Sequence, residues 1–199
     1  MNSKKIFVVS TVVASLLIFQ GCGGAKFSTP EKAFEAFNDA GENENWKKLM
    51  SCVSEESVDE MAGGMVFMGA MSAAMSEMPG GDEKTKAAAK EIGDLLKKHG
   101  VADMKMDDMK PGSAPDPAAL TKGIKNKKAF VIDMMNAMAK LGEGGPGKKM
   151  SDAFGGAKLS DVKIDGDKAT GKVVDKEGDE SPMNFVKEDG GWKIDMGGM

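Results

Sequence analysis

The chain has 199 residues, with 27 basic against 31 acidic side chains and a formal charge of −4. An acidic balance argues against nucleic acid as a partner and against electrostatic adhesion to anionic lipid. Every one of those basic residues is lysine, so no guanidinium fork is present for bidentate recognition of phosphate or carboxylate, and tyrosine is absent as well.

In chain order, Lys4-Lys5 forms a short positive region, Ile6 to Phe19 is an uncharged stretch too short to span a bilayer stably, and Gln20-Gly21-Cys22-Gly23-Gly24 follows. This layout resembles a bacterial lipoprotein signal with its lipobox. The resemblance implies cleavage just before Cys22 once its thiol carries diacylglycerol, with acyl chains on the sulfur and amine of the new first residue. Phe19 stands where Leu is most common, and Gln20 is less typical than Ala or Ser. Two other readings stand beside it: an ordinary secretory signal and an uncleaved anchor. The first would place small residues at the first and third positions before the cut, and Phe19 does not fit. Removing residues 1 to 21, with Lys4 and Lys5, leaves 178 residues and 25 lysines against 31 acids, a balance of −6. That length suits one domain with its own core. Gly23 after the cysteine, rather than Asp, fits outer-membrane sorting, with the domain facing the periplasm.

Residues 22 to 28 read as a tether, and the fold is expected from Thr29. Thr29-Pro30-Glu31 combines a capping residue, a first-turn proline and an acid, with Ala33, Phe34 and Phe37 on one face before Gly41. A second helix is predicted from about Asn45 to Val53, with Trp46, Leu49, Met50 and Val53 on one stripe. Cys52 lies in it as a buried small hydrophobe, unable to pair if Cys22 is acylated. Ser54 or Ser57 opens a third segment containing Met61 to Met78. Glu83 to His99 is amphipathic, with Ile92, Leu95 and Leu96 inward and Gly100 as its stop. Residues 101 to 116 read as an irregular connection. Pro117 to Leu141 is predicted as one helix burying Leu120, Ile124, Phe130, Val131, Met134 and Met138, and Gly142 to Gly147 as a break. The break lacks the Ser or Thr partner that a phosphate-cradling loop needs after Lys148-Lys149.

The last fifty residues change character. Leu159 to Ile164, Lys168 to Asp175, Pro182 to Glu188 and Gly191 to Met196 are short segments separated by Asp- and Gly-rich turns, the pattern of a four-stranded antiparallel meander. Helices first and a curved sheet afterwards define an α+β domain whose sheet is covered on one face by helices.

Ser28-Thr29-Pro30-Glu31-Lys-Ala33-Phe34, Asn45-Trp46-Lys-Lys-Leu49, Val162-Lys-Ile164-Asp-Gly166 and Gly190-Gly-Trp192-Lys-Ile194 together resemble the ends of a nuclear-transport-factor-2-like (cystatin-like cone) domain. They are similar to its small lipoprotein members. The resemblance covers residues 28 to 60 and 158 to 196, leaving 61 to 157 as an enlarged helical middle. It implies a cone with an interior pocket, which in the superfamily's isomerases, dehydratases and epoxide hydrolases holds a general acid or base.

The chain offers little for such chemistry. His99 closes Leu96-Lys97-Lys98-His99-Gly100, where a cation complements the helix dipole, and its motif contains no orienting carboxylate. Glu42, Glu44, Glu55, Glu56, Asp59 and Glu60 read as solvated faces. Glu143, Asp152, Asp165, Asp167, Asp175 and Asp179 invite a calcium reading, but lack the twelve-residue EF-hand spacing and suit hairpin turns. Met61, Met65, Met68, Met71, Met75 and Met78 step by threes and fours, so a helix would carry them on one stripe. That stripe serves as flexible core filler, as a soft groove for an apolar ligand or partner, or as thioether ligands for Cu(I).

These readings converge on a monomeric or weakly dimeric, non-enzymatic binding or accessory domain held at the cell envelope by lipidated Cys22. Its expected pocket is apolar, lined by Phe34, Phe37, Trp46, Met50, Met65, Phe185, Trp192 and Ile194, and takes a small apolar ligand or an envelope protein. No cofactor is expected. The alternatives are a Cu(I)-binding lipoprotein using the methionine stripe and a cone-fold isomerase- or hydrolase-like enzyme.

Overall fold

The computed structural model describes residues 26–76, 83–101, 117–140 and 156–197. Cys22 and its signal segment, Met78, the connection after Val101 with Met104, Met106 and Met109, and the glycine-rich stretch with Glu143 and Asp152 lie outside the described residues. Within them the chain is α+β. Six helices, α1 (Pro30–Glu42), α2 (Trp46–Cys52), α3 (Glu55–Ser76), α4 (Glu83–Lys98), α5 (Pro117–Thr121) and α6 (Lys127–Lys140), precede β1 (Lys158–Asp165), β2 (Lys168–Val174), β3 (Glu180–Glu188) and β4 (Gly191–Asp195). The strands form one antiparallel sheet in the order β1-β2-β3-β4.

Local chemistry explains the helix starts. Thr29 Oγ1 accepts from Lys32 N at 3.3 Å, with Pro30 in the first turn, where its missing N–H has no helical partner to lose. Asn45 Oδ1 accepts from Lys48 N at 3.1 Å to open α2. Ser54 Oγ accepts from Ser57 N at 3.1 Å to open α3. Ser57 Oγ then donates to Asp195 Oδ1 at 3.2 Å and accepts from Met196 N at 2.7 Å, tying α3 to the chain leaving β4. Both serines are fully buried, so each hydroxyl needs these partners.

Turn chemistry sets the sheet's register. Asp165 pairs with Lys168 and Glu188 with Gly191, leaving the two-residue loops Gly166-Asp167 and Asp189-Gly190. Asp189 and Gly190 both have positive φ, 51° and 78°, as a type I′ hairpin requires. Ala169, Gly171 and Val173 of β2, Met183 and Phe185 of β3, and Trp192 and Ile194 of β4 are buried on the face toward the helices. Gly171 has no room for a side chain, because a Cβ there would stand 2.8 Å from Leu159 Cδ1. β1 carries a bulge the strand pattern did not announce: its register shifts between Ser160 and Lys163, with Asp161 at φ 52°.

Two boundaries differ from expectation. Pairing with the sheet starts ahead of Thr29, since Phe27 O accepts from Trp192 N at 2.8 Å and Phe27 bridges to the outer edge of β4. The expected single helix from Pro117 to Leu141 is two helices. Asn126 Oδ1 accepts from Ala129 N at 2.9 Å and caps α6, which stops α5 from continuing through. Gly123, between them, lies against the backbone of Gly100, where a Cβ on Gly100 would stand 2.9 Å from Gly123 O. An Asn within an apolar repeat reads as helical by spacing alone, yet here its side chain competes for the backbone.

Candidate functional site

The eight side chains expected to line a pocket are brought together, but as core. Phe37 and Ile194 are 0% exposed, Met50 and Phe185 1%, Phe34 and Trp46 4%, and Trp192 5%, all in one cluster. Only Met65 is half-buried, packed against that cluster's margin. Side chains this enclosed spend their surfaces on one another. The space between α1, α2 and the sheet is therefore filled by the residues expected to border it.

The methionines do not share one environment. On α3, Ala62, Val66 and Gly69 are buried, Met61 and Met65 are half-buried, and Met68 and Met71 are 54% and 45% exposed. At about 100° per residue, steps of four, three and three rotate Met71 roughly 80° from Met61, away from the buried face. The single stripe expected from spacing is thus skewed, from core margin to solvent. Met75 lies on α3, and Met78 lies outside the described residues. Met134 and Met138 of α6 are buried, as their spacing implies.

His99 has the orienting carboxylate that its own motif lacks. Asp133, from α6, places Oδ2 2.8 Å from His99 Nε2 and 2.8 Å from Lys98 Nζ, and the imidazole meets the Phe130 ring edge-on at 5.4 Å. The hydrogen bonds from Lys98 and His99 hold the Asp133 carboxyl below the usual carboxylate range. An imidazole held by a carboxylate is a component of acid–base sites, and here it also clasps the end of α4 to α6. Spacing gave no hint of this pair, because its members are 34 residues apart.

A second group of polar side chains gathers at the β4 edge. Lys193 donates to Ser51 O, and its ammonium stands 5.6 Å from the centroid of the Phe27 ring. Burial, followed by the charge of Lys128, pulls the Lys193 pKa below the ordinary lysine value. Cys52, fully buried, donates to Lys48 O at 3.3 Å, and burial pushes its thiol pKa up. That is the chemistry of an inert core thiol. Both oxygens of Glu188 accept from Glu55 N at 3.2 Å, and Lys128 and Lys127 pair with Glu55 and Asp59. Two acids read as plain solvated faces are therefore ion-paired.

The acids of the turns serve the backbone. Asp175 Oδ1 accepts from Asp179 N at 2.8 Å, closing the β2–β3 turn. Among the described residues, no three His, Cys, Asp or Glu side chains converge as metal ligands, and no helix is long and apolar enough to cross a membrane. No protein-family model matches the chain, and neither a curated protein nor a solved structure does.

Proposed function

We propose that this chain is a lipid-anchored cell-envelope lipoprotein, acylated at Cys22, whose domain is a non-enzymatic binding or accessory module with a nuclear-transport-factor-2-like cone fold. One observation carries the reading: Lys4-Lys5, the apolar run Ile6 to Phe19 and Gly21-Cys22 stand immediately ahead of a domain in which Phe27 is the first paired residue among those described. The cone assignment is supported by a proline-capped α1, a buried Trp46 on α2 and a buried Trp192 on the last strand, all in one core. Because Phe34, Phe37, Trp46, Met50, Phe185, Trp192 and Ile194 are packed together, binding is assigned to the outer surface of the domain, where a partner is an envelope component. The test is fractionation of cells expressing the full chain. The native membrane-bound protein incorporates labelled palmitate and has lost residues 1 to 21, whereas Cys22→Ser incorporates none and keeps residues 1 to 21. A native protein without label, or equal label in both, overturns the reading.

A second reading rests on Met68 and Met71, two exposed thioethers three residues apart on α3. In it the outer surface of α3 takes Cu(I). Titration of the mature domain with Cu(I) decides: submicromolar binding lost in Met65→Leu/Met68→Leu/Met71→Leu supports it, and unchanged or absent binding removes it.

A further inference from the structure

The end of the sheet nearest the tether has a defined composition. β1 and β3 run toward it and β2 and β4 run away, so it carries the Gly166-Asp167 and Asp189-Gly190 loops. Lys187 N donates to Asp167 O at 2.8 Å, joining the first loop to β3. Lys26 and Phe27, the first two described residues, lie at the same end. Lys26 lies against Gly191, the first residue of β4, so closely that a Cβ there would stand 2.7 Å from Lys26 Cα, and Phe27 is already hydrogen-bonded to Trp192. The β2–β3 turn, around Glu177, occupies the opposite end, one seven-residue strand away. That separation is about 23 Å at the usual strand rise.

From Cys22 to Lys26 is four residue steps, at most about 14 Å of fully extended chain. On the reading that Cys22 is acylated, Lys26 is confined to that distance from the headgroups. The slack is shorter than the domain's own sheet, so the two ends cannot exchange places freely.

A second, independent feature marks the same end. Ile164, two residues before the β1–β2 loop, is 58% exposed although its strand partner Ala169 is buried. Around it the exposed charges are balanced: Lys26, Lys163, Lys168 and Lys187 stand against Asp165, Asp167 and Asp189, with Glu188 engaged at the start of α3. The mature chain as a whole is acidic, which disfavours approach to anionic lipid, but this end is not. Long lysine stems can lie along an interface with their ammonium groups among the phosphates while an apolar side chain dips below them.

We propose that the end of the sheet formed by the β1–β2 and β3–β4 loops is the membrane-facing surface of this protein, with Ile164 as its apolar contact with the lipid. The opposite end, with the β2–β3 turn, then faces the aqueous compartment. α3 begins beside Ile194, follows the chain past Gly197 and carries Met68 and Met71 on from there, so its exposed methionines are presented away from the bilayer.

This inference rests on acylation of Cys22, and the experiment separates the two. The full-length lipoprotein carrying Lys187→Cys or Glu177→Cys is nitroxide-labelled, with buried Cys52 left unlabelled, and reconstituted into vesicles of phosphatidylethanolamine and phosphatidylglycerol containing a nickel-chelating headgroup lipid. Intact mass reports the acyl chains at Cys22 in the same sample. Relaxation by headgroup nickel is expected to be several-fold stronger at position 187 than at 177, and Ile164→Asp is expected to reduce that ratio by half or more without altering acylation. An acylated protein relaxed equally at both positions overturns the orientation alone. A ratio indifferent to Ile164→Asp overturns the role of Ile164. Absence of acyl chains overturns the lipoprotein reading and the orientation with it.

Discussion

The sheet with α1 and α2 and the long helix α3 use apolar residues in opposite ways. In α1 the apolar positions Ala33, Phe34, Phe37 and Ala40 are the buried ones, and charged residues mark the outside. α3 carries no charge from Met61 to Ser76, yet it is no more enclosed: Met68 and Met71 are open to solvent while Ala62, Val66 and Gly69 are packed. Its inward face is chosen by small residues. Gly69 lets α4 approach until a Cβ there would stand 3.0 Å from Ile92 Cγ2 and 3.1 Å from Leu96 Cδ1. A helix written without polar marks thus hides which side is core, and size decides what polarity does not.

That contrast can be broken at four points, in descending order of effect. Phe185→Ala empties a fully buried site against Ala169 and Ile194 and is expected to cost about 3–5 kcal/mol in urea unfolding. Gly69→Leu drives a side chain into Ile92 and Leu96, and is expected to cost about 1–3 kcal/mol despite its better helix propensity. Equal or greater stability would show that close approach of α4 does not select the inward face.

Asp133→Asn loosens the clasp between α4 and α6, by under about 1 kcal/mol because the carboxylate is about a third exposed and its Lys98 partner mostly exposed. The sign of its pH dependence follows from its lowered pKa. A carboxylate whose folded value lies below its unfolded one contributes stability above the unfolded value, near 3.9, and loses it as pH falls through the folded value. Urea midpoints from pH 7 down to about 2 should therefore fall less steeply in Asp133→Asn than in the native chain, and parallel curves would remove Asp133 from the acid response. Smallest of all, Met68→Gln and Met71→Gln are expected to change stability by no more than about 0.5 kcal/mol, since both residues are about half exposed. A loss comparable to Gly69→Leu would mean that this surface is covered in solution.

What was legible followed the same division. Thr29-Pro30, Asn45-Trp46 and the Asp-Gly turns are local signals, and the elements they mark formed within a residue or two of expectation. That Phe37, Phe185 and Ile194 face inward was legible from alternation and helical spacing. Their packing into a filled interior rather than a pocket was not, because periodicity reports which face is inward and not how completely it closes. Asp133 was invisible as a partner of His99, since tertiary ion pairs across 34 residues leave no periodic trace. The split between α5 and α6 turned on Asn126, whose capping role competes with an apolar repeat that continues on both sides of it. Phe27 reads as tether in the sequence because a single bridged residue carries no strand pattern.

The most direct test of the central claim is the intact mass of the protein purified from bacterial membranes after expression of the full chain. The expected species lacks residues 1 to 21 and carries diacylglycerol and an amide-linked acyl chain on Cys22, with no free N-terminal amine. A product that retains residues 1 to 21, or that begins elsewhere with an unmodified Cys22 thiol, would contradict it.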